Sequence, residues 1–365
     1  MFKNLLTVKI AFLFLFVFAV AIGESAEWTW NGYFGTNYED STVSGSYGSF
    51  DTFVLSTIST INIDENMRLI GQIDWEHAGY FDISLSSDGS KTLNKRSSGE
   101  IALSKAYAEY SIIESLNVRA GKFFAPIGFQ NQLFYALPVS PYLKIPRESV
   151  YKKYSTTADP MSDAIFYQRY AQGLWIGGNY DSDVLNFAYD VFYTNGKTFI
   201  DYVDDNNHKA VGGRIMLTPV LLFKATPIVS FYMDEFNSGT PATPVWKSQI
   251  TIIPGIELGM EDLVVKTEFA ISGTKNIDGS KDVDFSAGYV DAYYTVGKIT
   301  PYVRYELYDP NVDNSDDKEA EGTIGIAYHI IPWMSQIKIQ VRRHDYQNDA
   351  KEDYNVWGAG VAIGF

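Results

Sequence analysis

Asn117-Val-Arg-Ala-Gly-Lys-Phe-Phe124 reads as a strand, and at Ala125-Pro-Ile-Gly-Phe-Gln-Asn-Gln132 that strand stops. No second strand pattern appears until Arg169. The interval holds five of the chain's 13 prolines, Pro126, Pro138, Pro141, Pro146 and Pro160. A connection this long without secondary structure of its own is uncommon in a compact protein and is usually functional. On either side the chain is short, alternating and strand-like. The rest therefore reads as a closed wall, and 125–168 as a segment folded into it.

Outward from that interval the period is two. In Met67–Glu76, Leu69, Ile73 and Trp75 share one face, and Arg68, Gln72, Asp74 and Glu76 share the other. Leu185–Tyr193 sets Asn186 and Asp190 opposite Leu185, Phe187, Tyr189 and Val191. Lys266 and Glu268 oppose Val265, Thr267 and Phe269, and Arg304 and Glu306 oppose Val303, Tyr305 and Leu307. Lys338, Gln340 and Arg342 oppose Ile337, Ile339 and Val341. One face carries ionised side chains and the other only apolar or aromatic ones. A soluble sandwich alternates in the same way, so the pattern alone leaves two architectures open.

Strand count and connection length separate them. Sixteen windows read as strands: 28–38, 48–62, 67–78, 99–112, 117–124, 169–180, 184–194, 209–217, 222–233, 246–258, 262–272, 283–295, 298–308, 321–330, 334–346 and 354–365. The connections Ile63–Asn66, Ile113–Leu116, Asp181–Asp183, Thr218–Leu221, Gly259–Glu261, Val296–Gly297 and Ile331–Trp333 are short. Those over 79–98, 125–168, 195–208, 234–245 and 309–320 are long. Short turns on one rim, long loops on the other and an even count describe an outer-membrane barrel. Most windows reach the roughly 9–11 residues of a tilted membrane-crossing strand, beyond the about five or six of soluble strands. Trp28, Trp30, Tyr33, Trp75, Tyr110, Trp175, Tyr180, Trp333 and Trp357 fall near strand ends, as interfacial girdles require. The expected fold is all-β: a transmembrane antiparallel β-barrel of about 16 strands, with a long in-folded third loop.

The two ends of the chain agree. Met1–Lys9 carries Lys3 and Lys9 and no acid, Ile10–Ile22 is apolar throughout, and Gly23-Glu-Ser-Ala26 follows. This is the pattern of a secretory signal peptide, cut after Gly23 or Ala26, and its apolar run is short for a membrane span. The expected organisation is a leader over 1–26 and one barrel over 27–365, addressed to the bacterial outer membrane. The last strand, Tyr354–Phe365, ends on an aromatic. That ending resembles the C-terminal signature which outer-membrane barrels present to their assembly machinery.

Composition excludes other classes. Cysteine is absent, which removes thiol chemistry, disulfides and cysteine-based metal sites. The formal charge of −15 opposes binding of a nucleic-acid backbone. Without Lys3, Lys9 and Glu24 of the leader the charge becomes −16. His77, His208, His329 and His344 are scattered, and no Gly-x-Ser-x-Gly, His-Glu-x-x-His or P-loop spacing occurs. No enzyme, cofactor or metal site is expected.

Val118-Arg-Ala-Gly-Lys-Phe-Phe-Ala-Pro-Ile-Gly-Phe-Gln-Asn-Gln132 resembles the phosphate-selective porin O and P family. In that family an Arg-x-Gly-(Lys/Gln)-Phe strand enters an x-Pro-x-Gly turn at the start of the third loop. The resemblance implies a trimeric sixteen-stranded porin whose third loop constricts the channel. It does not imply phosphate, because the family's stacked basic residues cannot be aligned here.

A sixteen-stranded barrel leaves an aqueous lumen, and lumen charges set which ions enter. Over 125–169, Lys144, Arg147, Lys152, Lys153 and Arg169 face Glu148, Asp159 and Asp163, a net of +2 in an acidic protein. Lys144, Arg147, Glu148, Lys152, Lys153 and Arg169 are the candidate constriction residues. The candidate pore wall is Arg68, Asp74, Lys105, Glu109, Arg119, Arg304, Glu306, Lys338 and Arg342, with Arg214, Lys266, Glu76 and Glu268 interleaved. Most wall charges are expected to pair or hydrate across the lumen. The function these residues indicate is passive diffusion of small hydrophilic solutes or ions with weak anion preference. The alternatives are a non-conducting surface or adhesion barrel, which the acidic loops Asp201–Asp205 and Asp309–Glu321 favour, or a barrel enzyme. The expected partners are outer-membrane lipid and lipopolysaccharide, the assembly machinery, two further copies of the chain, and small anions or hydrophilic solutes. The acidic loops carry carboxylates of the kind Ca²⁺ prefers, but in no EF-hand spacing.

Overall fold

The computed structural model describes residues 26–42, 48–76, 81–85, 91–95, 100–133, 138–144, 166–197, 207–220, 223–237, 244–276, 280–332, 334–347 and 352–365. The leader expected over 1–26 lies, up to residue 25, outside them. The strands are β1 (Glu27–Ser41), β2 (Ser49–Asn62), β3 (Met67–Glu76), β4 (Phe81–Leu85), β5 (Lys91–Lys95), β6 (Glu100–Ile113) and β7 (Leu116–Phe124). They continue with β8 (Tyr170–Tyr180), β9 (Leu185–Thr194), β10 (Ala210–Pro219), β11 (Lys224–Asn237), β12 (Trp246–Met260) and β13 (Leu263–Asn276). The last are β14 (Lys281–Tyr294), β15 (Ile299–Asp309), β16 (Glu319–Ile331), β17 (Ser335–Tyr346) and β18 (Tyr354–Gly364). All except β4 and β5 form one closed antiparallel barrel, in which each strand pairs with its neighbours in sequence and β1 closes on β18. Closure leaves no open edge, which is the condition for strands to cross hydrocarbon.

All sixteen expected strands are present. β4 and β5 were not expected; they pair only with each other, inside the connection read as the loop 79–98. Each has 5 residues, too few to register against a wall-crossing window. The rim that carries the long connections also carries 277–280 and 347–353, so loops sort by length less strictly than expected.

Burial decides which face is which. In β15, Tyr302, Arg304 and Glu306 are 2%, 4% and 3% exposed, whereas Val303, Tyr305 and Leu307 are 49%, 53% and 50% exposed. β17 repeats the inversion: Lys338, Gln340 and Arg342 are buried, and Ile337, Ile339 and Val341 are exposed. The ionised face is therefore inside and the apolar face outside, opposite to a soluble sandwich. Trp28, Trp30, Trp75, Tyr110, Tyr180 and Trp357 are exposed, as a girdle requires. Tyr33 and Trp175 are not; both are buried. Tyr33 accepts a hydrogen bond from Gln72, and Trp175 donates one to Asp190, so their polar atoms are satisfied inward. Trp333 lies outside the described residues.

A second correction concerns the inner face, which is not only ionised. Phe123, Phe192, Tyr232, Ile253 and Phe285 point inward and pack with Ile127, Phe166 and Tyr167 in a buried apolar cluster. The cluster is where the inserted segment meets the wall.

Candidate functional site

The segment leaves β7 and returns to β8, and between them it reaches the opposite side of the lumen. Its root is tied by Ala125 N donating to Arg169 O at 2.9 Å and by Asn131 Nδ2 donating to Ala125 O at 2.7 Å. Near the root a short 3₁₀ turn covers Asn131–Leu133. Ahead of it, Gly128 N donates to Ser230 Oγ of β11 at 3.0 Å, and Phe129 N to Glu268 Oε1 of β13 at 2.8 Å. Arg214 of β10 donates to Gly128 O at 2.9 Å and to Gln132 Oε1 at 3.2 Å. Gly128 has φ +60, and a Cβ there would lie 2.6 Å from Glu268 Oε1, so the Pro-Ile-Gly turn needs its glycine. Further on, Gln336 donates to Pro138 O and Lys338 Nζ to Tyr142 O at 3.0 Å. Leu143 N donates to Gln340 Oε1 at 3.3 Å, and Arg304 Nη1 to Lys144 O at 2.8 Å. The return limb is held by Gln249 and Thr251 of β12, which donate to Phe166 O at 3.1 and 2.7 Å. β15 and β17 lie about half the barrel away from β7 and β8. Tyr142 is buried with its ring 3.9 Å from the Arg304 guanidinium. Burial first, and the Asp291 carboxylate second, push its hydroxyl pKa up, so it stays neutral.

The wall charges pair along the sheet. Glu109 accepts from both Arg68 and Arg119, and the Arg119 guanidinium lies 4.1 Å from the Trp175 ring centre. Asp74 accepts from Gln72 and from Ser104, the residue bulged where β6 slips against β3. Lys105 sits 4.8 Å from the Phe124 ring centre. Arg304 holds Asp291 and lies 3.4 Å from Glu306. Arg342 pairs with Glu39 at 2.9 Å and Glu321 at 3.4 Å. Cross-strand register sets Glu257, Lys266, Asp291, Arg304, Thr323 and Arg342 side by side on consecutive strands. Because strands tilt in a barrel, this row climbs from near the 261–262 turn to near the 347–353 loop. It places opposite charges beside one another and accounts for their burial without net repulsion.

Of the constriction candidates, Lys144 is exposed within the segment and Arg169 is buried at its root. Arg147, Glu148, Lys152 and Lys153 lie outside the described residues. Among the described residues no group of three acidic or histidine side chains is placed to hold a metal ion.

No protein-family model matches the chain, and neither does the sequence of any curated protein. Solved structures do match. The anion-selective porin of Comamonas acidovorans superposes with a TM-score of 0.61 at 12% identity, over 93% of this chain and 100% of that one. OmpT of Vibrio cholerae, an outer membrane protein in a form lacking loop L8, gives 0.60 at 11% identity over 94% and 100%. OmpF of Salmonella typhi, in complex with daunomycin, gives 0.55 at 12% identity over 93% and 97%. The fold is that of a bacterial outer-membrane barrel. At these identities the likeness is one of fold alone.

The sequence reading missed Asp291, Glu39 and Ser104 of the wall and, at one end of it, Lys224 and Glu257. Lys224 and Glu257 line a cavity of about 580 Å³ at the short-turn end of the lumen, together with Lys266. Lys224 opens its strand and Glu257 follows the Pro254-Gly255 pair, so neither stands within clean alternation. The signal that would have found them is register: Glu257 faces Lys266 across β12 and β13.

Proposed function

We propose that the protein is a porin of the bacterial outer membrane, a water-filled channel through which small hydrophilic solutes or ions diffuse passively. The observation that carries this reading is the segment that crosses the lumen of an apolar-coated barrel and is bonded to its far wall. A segment so held narrows the water column, and there low-dielectric walls focus the field of a few charges. Since the wall's own charges are largely paired, the segment's net charge of +2 over 125–169 is what a passing ion meets. We assign a weak anion preference to Lys144, Arg147, Lys152 and Lys153. Kinship with the phosphate-selective porin O and P family, a homotrimeric assembly and a cleaved leader over 1–26 belong to the same proposal. Contacts with lipopolysaccharide and the assembly machinery do so as well.

The test is the reversal potential of purified protein in planar bilayers under a KCl gradient. A small anion-selective potential is expected. Replacing Lys144, Arg147, Lys152 and Lys153 by Gln should move it toward cations, and neutralising acids within 309–321 should change it little, because salt screens rim charges over roughly 8–10 Å. An unmoved potential in the first variant would assign selectivity to the wall, and absence of conductance would favour the non-conducting surface barrel.

A further inference from the structure

We propose that the cavity at the short-turn end of the lumen binds a small zwitterion, one carboxylate and one ammonium on a short carbon frame, as in an α-amino acid. The inference deepens the channel reading and rests on it for its biological sense, but not for its measurement. The cavity has a volume of about 580 Å³ and is lined by Lys224, Lys266, Glu257, Glu261, Asn186 and Thr218. An adjoining space of about 310 Å³ shares Lys224, Glu257, Asn186 and Thr218 and is bounded by Phe129 of the inserted segment. These volumes suit small-molecule sites.

The charges come in a particular arrangement. Lys224 Nζ lies 2.6 Å from Glu257 Oε1, and Lys266 Nζ lies 2.7 Å from Glu257 Oε2. One carboxylate therefore bridges two ammonium groups, so their spacing already matches a carboxylate, and a second one entering from the cavity finds the same spacing. Each ammonium has three donors, and the bridge uses one from each. A simple anion would meet Glu257 and the exposed Glu261 on the same surface. A simple cation would meet the two lysines. The larger cavity, with two lysines and two glutamates, is neutral overall and strongly dipolar, and Asp181 adds a third carboxylate on the adjoining space; both signs on one surface favour a solute that carries both charges. Lysines act as point charges and, among the described residues, no arginine fork lines the cavity, so phosphate is not the natural occupant. The Phe129 ring, 5.9 Å from Lys266 Nζ, offers an apolar surface to the solute's frame.

The test is saturation-transfer NMR on the full chain in detergent micelles, with alanine, propanoate and ethylammonium as probes. These share a two-carbon frame and differ in which of the two charged groups it carries. Alanine should bind roughly two- to five-fold more tightly than either singly charged probe, the scale of one partly exposed ion pair. Glu261→Gln, a change in an exposed turn, should weaken alanine while leaving propanoate equal or tighter. Lys266→Gln should weaken alanine and propanoate together. Equal binding of all three probes, or an alanine affinity indifferent to both substitutions, would overturn the proposal. Conductance in KCl is measured on the same preparation: binding without conductance would sink the channel reading and leave the site standing, and conductance without binding would do the reverse.

Discussion

Arg214 shows how one side chain can hold both the wall and the segment. Its guanidinium pairs with Asp190 at 2.7 Å while donating to Gly128 O and Gln132, and both partners of the ion pair are largely hidden from water. Removing one member of a buried pair leaves the other charge uncompensated and costs about 3–5 kcal/mol. Arg214→Gln should therefore lower the heat-modification midpoint on electrophoresis and raise single-channel conductance, because the segment loses its anchor. Asp190→Asn together with Arg214→Gln removes both charges. The double variant should regain most of the thermal stability but keep the raised conductance. If conductance stays at the wild-type value in both, the segment is held without Arg214. Alternation in the sequence placed Arg214 and Asp190 on inward faces. Their meeting depends on the register Arg214↔Asp190 between β9 and β10, which alternation does not contain.

At the scale of elements, strands were more legible than what fills them. A wall-crossing strand must alternate over its whole length, because one side faces lipid and the other water, and so every one of the sixteen could be read. β4 and β5 cross nothing and left too short a pattern. The inward Phe192, Tyr232 and Phe285 sit on the charged faces of their strands, where a strictly aqueous lumen has no use for them. They make sense only once Ile127, Phe166 and Tyr167 lie against them. Orientation is the testable property of these elements. On intact cells, protease or labelling reagent should reach tags inserted within 195–208 or 309–320. Tags at Asp181–Asp183 or Val296–Gly297 should stay protected, and labelling of those turns from outside would reverse the assigned rims.

For the molecule as a whole, everything depends on one seam. β1 and β18 meet over Tyr33↔Gly364 through Ser41↔Val356, and beyond the last pair Phe365 exchanges two backbone hydrogen bonds with Gly32, each 2.9 Å. The Phe365 ring occupies the space a Cβ on Gly32 would need. Deleting Phe365 removes both bonds and the ring at the place where the barrel must close. Export should continue while heat-modifiable, membrane-integrated protein falls sharply; unchanged membrane levels would show that the residue is incidental to closure. That the chain forms a barrel was legible because lipid enforces it on every strand. The inserted segment was legible only as a location, since proline spacing marks where the chain leaves the wall and not which side chains it carries.

With Gln132 and the Tyr142 ring as exceptions, the polar wall side chains described above grip the segment by main-chain atoms: Gly128, Pro138, Tyr142, Lys144 and Phe166 offer carbonyls, and Gly128, Phe129 and Leu143 offer amides. Every residue except proline supplies the same two groups. The mount is thus indifferent to most of the cargo it carries. Among the described residues, the side chains that do take part in the hold are those of Asn131, Gln132 and Tyr142 and the few apolar anchors, together with Gly128. A lineage carrying this barrel can rewrite one stretch of its interior by altering a handful of codons, and leave the wall as it is.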